Sequence, residues 1–297
     1  MAKIDLHGVF PPITTPFVNG KVVYDKLASN VKKWSQTGLK GFVVLGSNGE
    51  YVSLSEEEKR TVVDTVVQSA GDEMLIIAGT GCESTAETLR LTEDCAKLGA
   101  HAALVVTPHY YAGRMGEAAL QKHYSEVADH SAIPILVYNV PKFTHINLAA
   151  DFVARLSEHP NIVGIKDSSG NVIQLGELLN AVAKDFNVMV GTAGVLFGGL
   201  TLGCAGGVLA LSNIAPEHCV KIYNLVKQGD FEAARDLQLK ILPVNQAVTA
   251  VYGVPGLKAA MDMRGYFGGD PRLPLLPCSE QERSELKKIL QRADLWG

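Results

Sequence analysis

The sequence predicts an α/β fold in which eight parallel strands close into a (β/α)₈ barrel, followed by a C-terminal helical extension. Short apolar runs rich in β-branched residues alternate eight times with longer amphipathic stretches, as repeated βα units do. At 297 residues the chain is long enough for such a barrel to form one large domain. An open doubly wound sheet shows the same alternation and is the competing architecture, although eight units favour closure.

The predicted strands are the apolar runs themselves. Several are apolar at nearly every position, as expected for strands that are buried on both faces. The eight runs are residues 8–14, 41–46, 74–78, 102–107, 133–138, 162–166, 188–191 and 207–211.

Helix signals lie between these runs. Leu27, Val31 and Trp34 fall at i, i+4 and i+7, which places them on one face of a helix. Residues 55–58 (Ser-Glu-Glu-Glu) and 84–87 (Ser-Thr-Ala-Glu) each predict a capping box, in which Ser and the third-following Glu satisfy first-turn amides. Both follow a predicted strand and loop, as a barrel requires.

The chain after the eighth run has helical patterns only. They cover residues 216–227, 231–248, 255–264 and 279–291. One is the last helix of the barrel, and the other three form an extension suited to subunit contacts. We therefore predict a barrel domain over residues 1–228 and a C-terminal helical extension over residues 229–297.

Composition and charge exclude several classes of protein. With 47% apolar and 20% charged residues the chain has globular composition, which excludes disordered and fibrous classes. A net charge of -4 with scattered Lys and Arg gives no basic surface for nucleic acid. No apolar run is long enough for a membrane span, residues 1–5 begin no signal peptide, and five dispersed cysteines fit a reducing compartment. We predict a cytoplasmic protein without nucleic-acid or membrane partners, and leave import into an organelle open.

Lys166 is the first candidate for chemistry, because reactive groups of α/β barrels lie at the C-terminal ends of strands. It ends a buried run, and strand periodicity places Ser168 on the same face and Asp167 on the other. Burial lowers the pKa of an amine, so that it can be neutral and attack a carbonyl carbon. The alternative is a structural lysine paired with Asp167.

Two further strand ends carry candidate groups. Tyr138 ends the fifth run, where a phenol could relay a proton, although a core tyrosine is the alternative. Residues 46–50 (Gly-Ser-Asn-Gly-Glu) follow the second run, and their glycines would let backbone amides approach a carboxylate. A plain tight turn explains this segment equally well.

Metal and nucleotide chemistry lack sequence support. The eight histidines are dispersed without ligand spacing, and residues 79–84 imitate a dinucleotide-binding loop only weakly. No P-loop or G-x-S-x-G elbow is present. We expect neither a metal nor an organic cofactor.

The segments 46–50, 138–141 and 164–167 together resemble the dihydrodipicolinate synthase and N-acetylneuraminate lyase superfamily. The likeness covers nearly the whole chain. It implies a barrel that binds pyruvate or a similar small 2-oxo acid as a Schiff base on Lys166, and a homotetramer built as a dimer of dimers.

The resemblance also implies roles for individual residues. Ser47 and Asn48 would bind the substrate carboxylate, chiefly through backbone amides, and Tyr138 would move a proton. Tyr110 matches a tyrosine that the superfamily contributes across a subunit interface, and Ser168 would bind a distal carboxylate.

Within the superfamily the sequence is most similar to the 4-hydroxy-2-oxoglutarate aldolase branch, whose reaction yields pyruvate and glyoxylate. The likeness includes residues 79–85, 106–115 and 255–258, and also 191–194, which contains Gly191, a predicted substrate-binding residue.

Two departures from sister branches support this choice. Phe143, which we also expect at the substrate, stands where the synthases have an arginine for the second substrate's carboxylate. Ala193 and Gly194 stand where sialic acid lyases have acidic residues. The alternatives are a dihydrodipicolinate synthase, an aldolase or dehydratase for 2-keto-3-deoxy sugar acids, and a non-catalytic sensor of 2-oxo acids.

Overall fold

The computed structural model describes residues 4–296 and contains the predicted barrel. The outermost residues of the two predicted domains, 1–3 and 297, lie outside the described residues. Residues 1–3 also belong to the segment 1–5, for which no signal peptide was predicted. The strands are β1 (Gly8–Phe10), β2 (Phe17–Val18), β3 (Lys21–Val22), β4 (Gly41–Val44), β5 (Leu75–Gly79), β6 (Ala102–Val106), β7 (Ile135–Asn139), β8 (Ile162–Asp167), β9 (Asn187–Val190) and β10 (Gly206–Val208).

Eight of these strands form one parallel sheet, and each overlaps a predicted apolar run. Their order is β1-β10-β9-β8-β7-β6-β5-β4. The sheet closes where Val43 N donates to Pro11 O at 2.9 Å and Ile13 N donates to Val43 O at 3.0 Å. The ladder is sparse at this seam because Pro11 and Pro12 have no N–H to donate. Closure rules out the open doubly wound alternative.

The hairpin of β2 and β3 lies outside the barrel and was not predicted. Its two-residue turn is Asn19-Gly20, with φ of 51° and 72°. Asn-Gly is a strong short-range hairpin signal, because both residues adopt positive φ readily. The sequence therefore contained the signal, but strands of two residues are too short for an apolar pattern.

Helices follow the barrel strands and continue beyond the last one. They are α1 (Tyr24–Trp34), α2 (Glu56–Ser69), α3 (Thr85–Lys97), α4 (Glu117–His130), α5 (Pro141–Thr144), α6 (Ala150–Ser157), α7 (Val172–Ala181), α8 (Leu196–Leu202), α9 (Pro216–Gln228), α10 (Phe231–Gln246), α11 (Gly253–Met263) and α12 (Glu280–Arg292). A π-helical segment, Ala247–Val251, joins α10 to α11.

The predicted helix signals are largely confirmed. Leu27, Val31 and Trp34 are the buried apolar residues of α1. The capping box of α2 is complete, whereas at α3 the structure gives only its first half, the bond from Glu87 N to Ser84 Oγ at 3.2 Å. The four C-terminal helices appear as predicted, although the division into two domains at residue 228 stays a prediction.

The core has two layers. The first fills the barrel and includes Phe10, Leu104, Leu136 and Met189, which is how a closed parallel sheet is packed. The second, larger layer lies between the strands and the surrounding helices. Tyr138 belongs to the inner layer, so the barrel interior extends up to the predicted site.

Within residues 4–296 no helix combines the length and the apolar character needed to cross a bilayer. The cytoplasmic location stays a prediction.

Candidate active site

The ends of β4, β7 and β8 bring three predicted residues together. Tyr138 and Lys166 are register partners on adjacent strands. The Lys166 amine lies 4.0 Å from the centroid of the Tyr138 ring. Ser47 Oγ and the Tyr138 hydroxyl are 3.4 Å apart. Residues far apart in sequence thus form one cluster at the C-terminal face of the barrel.

Lys166 is 3% exposed, and no described carboxylate forms an ion pair with its amine. A buried lysine normally has an anionic partner. Here the ring of Tyr138 covers the amine instead. This is an environment in which a lysine can act as a nucleophile.

Asp167 is occupied on the opposite side of β8. Its carboxylate accepts hydrogen bonds from Asn139 Nδ2 (2.7 Å), Gln174 Nε2 (2.8 Å), and both the backbone N (3.1 Å) and Oγ (2.5 Å) of Ser169. Side chains of successive strand residues point to opposite faces. The alternative in which Lys166 pairs with Asp167 is therefore wrong.

The turn after β4 holds Ser47 and Asn48. It is a short 3₁₀ turn, Ser47–Gly49, and it lies between Leu45 (φ 59°) and Glu50 (φ 53°), both in the left-handed region. Each such non-glycine residue costs about 1–2 kcal/mol. Strained residues of this kind cluster at binding and catalytic sites. The turn must therefore be held by contacts outside it.

A buried ion pair holds the end of this turn. Lys258 Nζ lies 2.5 Å from Glu50 Oε1, and the two side chains are 1% and 2% exposed. Glu50 Oε2 also accepts from Arg272 N at 2.8 Å. Burial lowers the pKa of Lys258, while the Glu50 carboxylate opposes this effect. The pair was not predicted, because Lys258 and Glu50 are far apart in sequence and no local pattern joins them.

Gly191 lies where β9 ends, directly beside Ser168. The Ser168 hydroxyl donates to Gly191 O at 3.4 Å, and Gly191 N donates to Asp167 O at 2.7 Å. A Cβ atom at Gly191 would lie 2.0 Å from Ser168 Oγ and 2.5 Å from Asp167 O. Only glycine fits here, so the ends of β8 and β9 approach closely beside Lys166.

Phe143 lies in α5, at the rim after β7, and its side chain is 51% exposed. Its neighbour Lys142 donates to Thr249 O at 3.0 Å and lies 5.5 Å from the Phe143 ring centroid. Position 143 thus offers an apolar ring, and the adjacent cation is engaged by the π-helical segment.

Tyr110 lies apart from this cluster. It is 77% exposed and packs edge-to-face on Tyr111, with ring centroids 5.0 Å apart. The Glu83 carboxylate holds this loop by accepting from His109 N at 2.9 Å and Tyr110 N at 2.8 Å. The Tyr110 hydroxyl makes no hydrogen bond to a described residue, so the single chain does not join it to Tyr138.

Among the residues that the structure describes, no three His, Cys, Asp or Glu side chains are grouped so as to hold a metal ion. The chemistry available to the cluster is that of an amine, a phenol, a hydroxyl and backbone amides.

Comparisons with known proteins agree on one family. Residues 5–293 match the model of the dihydrodipicolinate synthetase family. A protein named 4-hydroxy-tetrahydrodipicolinate synthase from Methanothrix thermoacetophila is 39% identical over 98% of this chain and 98% of its own length. A protein of the same name from Methanospirillum hungatei is 36% identical over 97% of this chain and 99% of its own length.

Solved structures give the same result. A dihydrodipicolinate synthase from Thermotoga maritima is 30% identical with a TM-score of 0.93, covering 98% of this chain and 100% of that one. A dihydrodipicolinate synthase from Acinetobacter baumannii, solved in complex with pyruvate, is 33% identical with a TM-score of 0.92, covering 98% and 99%.

These comparisons confirm the resemblance to the superfamily, while the closer likeness to the 4-hydroxy-2-oxoglutarate aldolase branch finds no support in them. The fold, the cluster at the ends of three barrel strands and the family match together show that the chain is a carbon–carbon lyase and belongs to the dihydrodipicolinate synthetase family.

Proposed function

We propose that this lyase is a class I enzyme in which Lys166 forms a Schiff base with a 2-oxo acid of the pyruvate type. The observation that carries the proposal is the buried Lys166 amine, which has no described carboxylate partner and lies over the Tyr138 ring. Tyr138 in turn lies within reach of Ser47. Nucleophile, proton carrier and carboxylate turn thus adjoin one another.

The mechanism follows from these groups. The substrate carboxylate binds to the backbone amides of Ser47 and Asn48, at the start of the 3₁₀ turn. The neutral Lys166 amine attacks the C2 ketone, and loss of water gives a protonated imine. The Tyr138 phenol gives its proton to the departing water in that step, and the resulting phenolate takes the proton of the C4 hydroxyl as the imine accepts the electron pair of the C3–C4 bond. An aldehyde leaves, and the remaining enamine is protonated and hydrolysed to pyruvate.

The reaction that we propose first is cleavage of a short 4-hydroxy-2-oxo acid, most simply 4-hydroxy-2-oxoglutarate to pyruvate and glyoxylate. Residue 143 supports it, because it is Phe, whereas the resemblance implies that the synthases have an arginine there for the second substrate's carboxylate. Ser168, beside Gly191 at the ends of β8 and β9, then binds the distal carboxylate of the substrate.

The synthase reaction, condensation of pyruvate with aspartate semialdehyde, is the second candidate. The names of the relatives favour it, since proteins that are 36–39% identical over nearly the full chain are called synthases. The residue at position 143 argues against it. Sugar-acid aldolase or dehydratase activity comes third. The non-catalytic sensor is set aside because the similar proteins are named as enzymes.

Borohydride trapping tests the Schiff base. Reduction in the presence of pyruvate should attach the pyruvate-derived mass to the peptide that contains Lys166. The Lys166→Ala variant should lose this adduct, whereas Lys142→Ala, which removes an exposed lysine nearby, should retain it. Equal labelling of Lys166→Ala and the unchanged protein would disprove the assignment.

A substrate panel separates the three reactions. It measures glyoxylate release from 4-hydroxy-2-oxoglutarate, cyclisation of pyruvate with aspartate semialdehyde, and cleavage of 2-keto-3-deoxy sugar acids. We expect the first to have the highest kcat/KM, and a higher value for the second would make the chain a synthase. Because the imine itself is the electron sink, activity should be unchanged in excess chelator.

A further inference from the structure

Glu50 links the proposed carboxylate turn to the protein interior. It follows Gly49 directly, ends the Ser47–Gly49 turn and adopts a left-handed conformation with φ 53° and ψ 35°. Its carboxylate is buried and lies 2.5 Å from the amine of Lys258, a residue of α11. The C-terminal part of the chain therefore reaches the back of the turn.

Arg272 holds the same turn from a second side. Its backbone N donates to Glu50 Oε2 at 2.8 Å. Its guanidinium donates to Ser53 O at 2.6 Å and binds both Glu58 carboxylate oxygens at 2.7 Å. Both cations lie over the Phe17 ring, with Lys258 Nζ 4.4 Å and the guanidinium carbon of Arg272 4.3 Å from its centroid. One network thus holds both the Ser47–Gly49 turn and the 3₁₀ turn that follows it, Tyr51–Ser53.

Stability alone does not explain a buried ion pair. The desolvation of both charges offsets much of their attraction, and apolar residues of similar volume are often as stabilising. Here each member of the pair also has a backbone partner, since Glu50 Oε2 accepts from Arg272 N at 2.8 Å and Lys258 Nζ donates to Asp270 O at 2.9 Å. Together these contacts fix one direction for each side chain. The strained backbone at Glu50 is a place where a fixed direction matters, because Ser47 and Asn48 precede it by only a few bonds.

We propose that Lys258 is a positioning residue: through Glu50 it sets the backbone amides of Ser47 and Asn48 at the spacing that binds the carboxylate of a 2-oxo acid. The C-terminal helical extension then takes part in substrate binding without touching the substrate. This inference rests on the proposed role of the turn as the carboxylate site.

The test compares two ketones that differ in the carboxylate. Borohydride trapping at Lys166 is measured against pyruvate concentration and, separately, against acetone, which can form the imine but has no carboxylate. The variant combines Glu50→Gln with Lys258→Met, which removes both charges, keeps the volume and leaves an acceptor for Arg272 N. We expect the half-saturating pyruvate concentration to rise about tenfold or more, while the second-order rate with acetone is unchanged.

The control combines Lys240→Met with Asp294→Asn, which removes an exposed ion pair of the same C-terminal region (2.6 Å). It should behave like the unchanged protein with both ketones. The inference is overturned if the Glu50 and Lys258 variant binds pyruvate normally, or if its trapping of acetone falls by the same factor. If the unchanged protein attaches no pyruvate to Lys166, the proposed function itself fails.

Glu50→Asp provides the second variant should the double variant not fold. It keeps the charge but shortens the side chain by one methylene, so the pair can persist only if the turn shifts. The half-saturating pyruvate concentration should again rise with acetone trapping unchanged, and an unaltered pyruvate dependence would overturn the inference.

Discussion

Asn139 Nδ2 donates to Asp167 Oδ2 at 2.7 Å, and this bond lies on the opposite face of β7 and β8 from Tyr138 and Lys166. Asn139 follows Tyr138 and Asp167 follows Lys166. The residues next to the proposed catalytic pair thus join β7 to β8 on the opposite face of the sheet. Because the bond joins β7 to β8 next to the pair, it fixes the position of the Lys166 amine relative to the Tyr138 phenol along the two strands.

Asp167→Asn should accordingly affect both stability and chemistry. It removes the charge that four hydrogen bonds share, which should cost about 1–3 kcal/mol of the free energy of unfolding. Urea unfolding and kcat together measure the effect, and both should fall. Ser169→Ala removes only the donor hydroxyl of a neighbour and should change kcat little. A destabilised Asp167→Asn with full kcat would show that the bond does not position the pair.

Phe143→Arg should shift the choice of the second substrate. A guanidinium at the rim, next to Lys142, offers paired donors for a carboxylate. We expect kcat/KM with aspartate semialdehyde to rise relative to that with 4-hydroxy-2-oxoglutarate, measured by the substrate panel. Phe143→Leu, which adds no charge, is the control. A ratio that Phe143→Arg leaves unaltered would show that position 143 does not select the substrate.

Tyr110 should matter only in an assembled protein. Its exposed hydroxyl has no described partner in the single chain, and the resemblance assigns it to a neighbouring subunit of a homotetramer. Tyr110→Phe should lower kcat, whereas Tyr111→Phe, equally exposed beside it, should not. Sedimentation of the active protein should give at least a dimer. A fully active monomer would contradict this role.

Gly191→Ala should disturb the ends of β8 and β9. Its Cβ would lie 2.0 Å from Ser168 Oγ, and an overpacked site of this kind typically costs about 1–3 kcal/mol. Thermal unfolding and KM are the measurements, with a lower Tm and a higher KM expected. Gly176→Ala is the matched control, because Gly176 lies within α7 with nothing near its Cβ position and alanine favours a helix. A Tm unaffected by Gly191→Ala would show that the strand ends can move apart.

His123 should make the protein less stable in weak acid. It is buried, its Nδ1 lies 2.9 Å from Thr85 Oγ1, and burial lowers its pKa from 6.5 to about 4. The unfolded chain therefore binds a proton below pH 6.5 that the folded protein takes up only near pH 4. Stability should be constant above pH 6.5 and fall by about 2 kcal/mol between pH 7 and pH 5.

His123→Gln tests this through the dependence of Tm on pH, which should flatten between pH 7 and pH 5. His130→Gln alters an exposed histidine of the same helix, α4, and should leave the dependence as it was. If both variants follow the unchanged protein, His123 is not the responsible group.

Local sequence patterns were sufficient for the barrel because each strand is a buried apolar run and each main helix has an amphipathic face. Patterns of this kind depend on neighbouring residues. The β2–β3 hairpin was missed because strands of two residues have no periodicity. The second half of the capping box at Glu87 is absent, although its spacing is that of a box. Arg90 binds the Glu87 side chain instead.

The candidate site was predictable only in part, for a related reason. Strand ends pointed to Lys166 and Tyr138, and the structure places them side by side. The pairing of Glu50 with Lys258 depends on how the chain returns after the barrel is complete, which no local pattern contains. Asp167 was a possible partner of Lys166 because the two residues are adjacent in sequence. The donors that bind Asp167 on the other face of the sheet, Asn139 and Gln174, come from other parts of the chain.

The hydrogen bond from Asp270 N to Phe17 O, 3.1 Å long, joins a segment near the end of the chain to one near its start. During translation the turn after β4 is made early, whereas the C-terminal residues that hold it are made late. All eight barrel strands have been synthesised by residue 208, while the turn that ends at Glu50 still lacks Lys258 and Arg272. A nascent chain should therefore acquire its barrel during translation, but its affinity for substrate only once the chain as far as Arg272 has emerged.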